Sequence, residues 1–199
     1  MRGRALGAAE VVRVSLLLLV ALSLPRIAYA EEPSEGLVKP VCCAKPRARE
    51  GWWLSLDLSA GELRVRGKDN GIAARVSYSL GWFLHPRVVA ALSAAESVHP
   101  TRSGALSSGL FMPSLQWWFY GRQWVRVGAG PYFLEQDVDE SADDSVASGW
   151  GGQLTWGEDL CRNKIFVAQA QITVEGGWAT EGGDHDSLGF YFGMGFHAY

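Results

Sequence analysis

From Gly51 to the C-terminus, apolar and polar residues alternate with a period of two in eight separate segments. They run over Trp52–Ala60, Ile72–Leu84, Val88–Ala95, Leu110–Tyr120, Trp124–Leu134, Trp150–Trp156, Phe166–Val174 and Leu188–Tyr199. The last is the plainest. Leu188, Phe190, Phe192, Met194 and Phe196 stand on one face, with Gly189, Tyr191, Gly193, Gly195 and His197 between them. Side chains of a strand point alternately to its two faces, so this period predicts strands with one greasy face each. A helix would spread the same aromatics around its circumference, and three glycines in one short stretch would weaken it. Val88–Ala95 is mostly alanine and valine, and its two faces cannot be told apart. The connections alternate. Polar loops are expected over 61–71, 96–109, 135–147 and 176–187, and tight turns at His85-Pro86-Arg87, Gly121-Arg122-Gln123 and Cys161-Arg162-Asn163.

Eight strands with short turns at one end and longer loops at the other, both termini at the short-turn end, predict an all-β, antiparallel up-and-down transmembrane barrel. Its apolar faces would meet lipid. The soluble alternative, a lipocalin-like barrel or sandwich, would turn the same faces inward. Threading the strands up and down from Gly51 puts Trp52, Trp53, Trp82, Trp117, Trp118, Trp124 and Trp156 at the short-turn end. Trp150 and Trp178 fall at the other. Amphipathic rings favour membrane interfaces, so the seven are read as an aromatic belt.

The first thirty residues lie outside this pattern. Arg2 and Arg4 precede an apolar core of eleven residues, Val14–Leu24, and Ala28-Tyr29-Ala30 supplies a small-x-small cleavage site. A bilayer span needs about 20 residues, so 1–30 reads as a secretory signal peptide. Residues 31–50, with three prolines and charges of both signs, read as an extended periplasmic lead-in, and 51–199 as the barrel. Taking the leader's four arginines and one glutamate from the chain's 18 basic and 21 acidic residues leaves 14 and 20, a formal charge of −6. That charge argues against a nucleic-acid partner.

The strand count, loop asymmetry, aromatic rims and aromatic terminus make the chain resemble the small eight-stranded outer-membrane barrels of Gram-negative bacteria, the OmpA/OmpX type, over about residues 51–199. The resemblance is one of architecture, without a sequence fingerprint. It implies a cell-envelope protein surrounded by outer-membrane lipid and lipopolysaccharide, inserted by the assembly machinery through its C-terminal strand, and monomeric. Tyr199 departs from the family pattern: it is out of phase with Phe192, Met194 and Phe196, and either a bulge or fraying at His197-Ala198 or a different assembly signal would reconcile them.

With apolar faces outward, the lumen receives a polar network of Asp57, Arg75, Arg126 and Glu175, with Gln116, Gln153, Gln169 and Gln171. An eight-stranded lumen is filled by such side chains rather than left open. Asp57 and Arg75 would face each other if Ala60 pairs with Ile72. Pro113 and Pro131 would do so if Tyr120 pairs with Trp124, removing two ladder donors at one height; the readings are a frayed rim or a lateral opening. The acidic stretch 135–147 lacks the glycine and spacing of a calcium loop and reads as solvated, with shared divalent ions as a second reading. Asp184-His185-Asp186-Ser187 is weighed as the base and nucleophile of a lipid A hydrolase or acyltransferase, but no carboxylate follows it. Three cysteines suit an exported chain, and Cys161 can reach Cys42 or Cys43 beneath the barrel. No catalytic residue, cofactor or metal is assigned. The expected role is structural or surface-exposed and non-enzymatic. The alternatives are porin-like binding or passage of a small hydrophobic molecule through the barrel, and lipid A modification.

Overall fold

A computed structural model describes residues 49–67, 70–101, 104–138, 145–162, 166–181 and 186–199. The signal peptide and nearly all of the lead-in lie outside the described residues. Eight strands follow in order: β1 Trp52–Val65, β2 Gly71–His85, β3 Val88–Thr101, β4 Gly104–Tyr120, β5 Gln123–Val138, β6 Ser145–Arg162, β7 Phe166–Glu181 and β8 Ser187–Ala198. Each pairs antiparallel with the next, and β1 pairs with β8, closing the barrel. Closure leaves no unpaired edge, the condition a sheet must meet to stand in lipid.

The apolar faces point outward. Leu54, Leu58, Leu80, Leu92, Leu115, Val127, Leu154, Phe192 and Met194 are all at least half exposed, and together they encircle the barrel. A soluble protein does not leave a continuous apolar girdle in water, so the lipocalin-like alternative falls. The third strand joins the same scheme, with Leu92 and Val98 outward and Val89, Ser93, Ser97 and His99 inward. No helix among the described residues is long and apolar enough to cross a membrane.

The strands run further than the alternation suggests. β1 continues to Val65, where Asn70 Oδ1 accepts from Val65 N at 3.2 Å and Gly67 takes a φ of 77°. β1 therefore runs five residues past Ala60, and its register with β2 shifts by two residues from the one expected. Ala60 pairs with Ala74, not Ile72, and Asp57 stands opposite Ser77, not Arg75. The polar stretch 96–109, expected as loop, is mostly strand, with β3 reaching Thr101 and β4 starting at Gly104. Polar residues ladder as well as apolar ones once neighbouring strands fix the register. A register shift between Trp118 and Tyr120 pairs Trp118 with Trp124. That extra residue separates the two prolines: Pro131 falls level with Phe111, and Pro113 with Ala129.

Candidate functional site

The lumen is filled in three tiers. At the end away from the termini, Leu63, Val65, Leu106, Leu110, Met112, Tyr132, Leu134 and Tyr191 form one apolar cluster. At the end carrying the termini, Trp53, Phe83, Val89, Trp118 and Trp124 form a second. Between them lies a polar layer. These two caps exclude water from the layer, which makes every interaction inside it stronger and every unpaired charge costlier.

Four charges dominate that layer and compensate one another. Arg126 Nη1 donates to Asp57 Oδ2 at 3.2 Å and its Nε to Gln116 Oε1 at 2.8 Å. Arg75 Nε donates to Glu175 Oε2 at 3.0 Å, and its Nη2 donates to Gln153. Asp57 also accepts from Ser55, Ser77 and Gln169. The Arg126 guanidinium lies 4.9 Å from the Trp53 ring and 5.2 Å from that of Trp124, so cation–π contacts close its faces. All four residues of the predicted network are thus brought together, but in different partnerships: Asp57 with Arg126 and Arg75 with Glu175, each joining strands far apart in sequence.

The aromatic belt needs correcting. Trp52, Trp82, Trp117 and Trp156 are exposed on the outer wall, with Trp52 and Trp82 edge-to-face at 5.0 Å. Trp53, Trp118 and Trp124 are fully buried in the lumen. Alternation requires this: Trp53 and Trp118 follow Trp52 and Trp117 directly and must face the other way, while Trp124 shares its parity with Arg126. Being near a rim put these rings at the right height and left the face undecided. Trp150 and Trp178 are exposed and paired with each other at the opposite rim.

A further cluster closes the terminal mouth, and sequence reasoning missed it. Arg49, at the end of the lead-in, reaches Asp159 Oδ2 at 3.0 Å and lies 4.3 Å from the Trp118 ring. Arg162 reaches the same oxygen at 3.1 Å, and His197 Nε2 stands 3.8 Å from Asp159 Oδ1. His197 also bonds Gln169 Oε1 through Nδ1 at 2.9 Å, which ties the cluster to the polar layer. Tyr199 needs no bulge. It follows His197 in phase onto the inner side, stacks on it at 5.6 Å and meets Phe83 edge-on at 5.5 Å. The inward parity of Asp159 with Gln153 was the available signal, and Arg49 had none.

Cys161 is disulfide-bonded. Cys42 and Cys43 lie outside the described residues, as does His185. Ser187 opens β8, opposite Val65 and Gly177. Mass spectrometry of non-reduced digests is expected to find the Cys161 peptide linked to one carrying Cys42 or Cys43. Recovery of Cys161 as a free thiol would refute the tether.

No protein-family model and no curated protein matches the sequence. Solved structures do match. The neisserial surface protein A aligns with a TM-score of 0.58 at 12% identity, covering 74% of this chain and 96% of that one. Ail, the attachment invasion locus protein of Yersinia pestis, aligns with a TM-score of 0.50 at 10% identity over 74% of this chain and 99% of that one. At such identities the likeness is one of fold. The chain has the architecture of the small eight-stranded outer-membrane barrels.

Proposed function

We propose that this barrel is a non-conducting, non-enzymatic protein of the outer membrane whose working surface is the end away from its termini, facing out of the cell, with residues 31–50 in the periplasm. The observation that carries the reading is the polar layer. Arg75, Arg126, Asp57 and Glu175 are paired across the lumen and fully packed, so no water-filled path crosses their level. A wall of this kind holds the opposite rim in place. β4 continues from Phe111, at the aromatic rim, up to Gly104, so strand structure rises beyond the membrane. Planar-bilayer recording with the refolded chain is expected to show no steady conductance. Reproducible ohmic channels would overturn the plugged reading.

Lipid A chemistry has less to support it, because Ser187 is engaged in the ladder between β1 and β7 and is followed by no carboxylate. Cells carrying His185→Ala and Ser187→Ala should show an unaltered lipid A mass spectrum; loss of a modified species would reinstate the enzyme.

A further inference from the structure

We propose that the outer wall over β3–β5 holds one anionic glycerophospholipid, with its phosphate between Arg87 and Arg122 and an acyl chain in the recess beside Pro113 and Ala129. The proposal rests on the orientation given above, which puts this end of the barrel in the periplasmic leaflet.

Two arginines without partners form the headgroup end. Arg87 stands in the turn before β3 and Arg122 in the turn before β5. Both are exposed, and neither side chain has an ion-pair partner among the described residues. Trp118 N donates to Arg87 O at 2.9 Å, which sets that arginine beside the end of β4. Asp159 N donates to Arg122 O at 3.0 Å, on the far side of the β4–β5 hairpin. Neighbouring strands lie ~4.8 Å apart, so the two residues flank the hairpin end at roughly 10 Å, a span that two arginine side chains can close around one phosphodiester. Between them Trp117 and Phe119 are exposed, with ring centroids 5.9 Å apart, and Tyr120 is exposed beyond them. Such amphipathic rings sit at the level of lipid headgroups. The charge of the chain divides the same way. Each tight turn carries an arginine and no carboxylate (Arg87, Arg122 and Arg162), whereas 135–147 holds six carboxylates and no cation. A phosphate is drawn to the terminal end and repelled from the other.

The acyl end is a matter of shape on the same three strands. An open recess of about 380 Å³ lies on the outer wall, lined by Ala90 of β3, Pro113 and Leu115 of β4, and Val127 and Ala129 of β5. Ala90 pairs with Trp82 and Val127 with Leu154, both exposed, so larger side chains bank the trough on either side. Leu115 and Pro113 lie two and four residues along β4 from Trp117, about 7 and 14 Å at ~3.4 Å per residue. Half of a hydrocarbon core is ~15 Å deep, so the trough covers the depth through which the acyl chain of a lipid held at the arginines must run. A chain lying in a trough touches protein along its sides as well as beneath, and each added contact contributes dispersion energy. A cationic end and an apolar trough on one line match a single amphipathic molecule.

The test is native mass spectrometry of the full chain released from nanodiscs of phosphatidylglycerol and phosphatidylcholine in equal amounts. One phosphatidylglycerol is expected to stay bound about fivefold more often than phosphatidylcholine. Arg87→Gln/Arg122→Gln should remove the preference, and Arg64→Gln, at the opposite end and paired with Glu62, should leave it unchanged. Phosphatidylglycerol with a diazirine midway along its acyl chain should leave adducts on Ala90, Leu115, Val127 and Ala129. Ala129→Leu, which fills the trough, should cut those adducts severalfold. The heat-dependent gel shift reports that each variant is folded. Equal retention of the two lipids by the unaltered chain overturns the headgroup site. Adducts as frequent on Leu54, Leu58 and Met194 as in the trough are those of annular lipid and overturn the acyl site. The orientation is read separately, by an impermeant maleimide on intact cells carrying Arg122→Cys. Labelling there would overturn the periplasmic leaflet, whatever the lipid measurements give.

Discussion

Asp57→Ala is expected to destabilise the barrel by about 3–5 kcal/mol, because it leaves the Arg126 guanidinium buried without its carboxylate. Asp57 has no exposed surface and accepts from Arg126, Ser55, Ser77 and Gln169, so a single substitution strips the acceptor from the centre of the layer. The effect belongs to the imbalance of charge and not to the loss of a favourable pair. Asp57→Leu combined with Arg126→Met should therefore cost much less than the sum of the two single changes. Urea unfolding in detergent micelles, followed by the heat-shifted gel band, measures all the corners of the cycle. Additive single effects would mean that the two groups act separately, and the account of the layer as paired charges would fail.

Gly61→Ala is the second large effect, and it acts on closure. A Cβ there would stand 1.8 Å from the Phe190 carbonyl oxygen and 2.7 Å from Tyr191 Cα, both backbone atoms of β8. No side chain can swing away to make room, so the β1–β8 seam itself must move. About 3 kcal/mol is expected, at the upper end of overpacking costs, read as loss of the fast-migrating unboiled band. Gly152→Ala is the control. Its Cβ would find only Gly128 O at 3.4 Å and Ala129 Cβ at 3.9 Å, so it should change stability by no more than about 0.5 kcal/mol. Equal behaviour of the two variants would show that close strand approach does not limit closure.

The contrast between the tryptophans and the network shows how far residue patterns carry. Trp52 and Trp53 are neighbours at one rim, and height along the strand can be counted from sequence. Which one faces lipid follows from parity alone, and an apolar belt argument that ignores parity assigns both outward. Asp57 and Arg75 were both legible as luminal, because each alternates with leucines and valines that face out. Their partnership was not legible. It required the turn at Gly67 and Asn70, which sets the β1–β2 register, and the closure that carries Arg126 and Glu175 to the same level across the lumen.

The sequence by itself determined eight strands with one apolar face each, because a period of two repeated eight times admits few other readings, and it determined which residues share a face wherever polar and apolar positions alternate cleanly. That the apolar faces point outward and the polar ones into the lumen was decided by the closed barrel. Only the tertiary structure decided the ion-pair partners, the inward turn of Tyr199, the Arg49 contact on Asp159 and the different heights of Pro113 and Pro131 on the β4–β5 seam. The physical reason is common to all four. Each depends on register, and a shift of one or two residues at a turn or bulge costs little locally while changing every partner across the barrel.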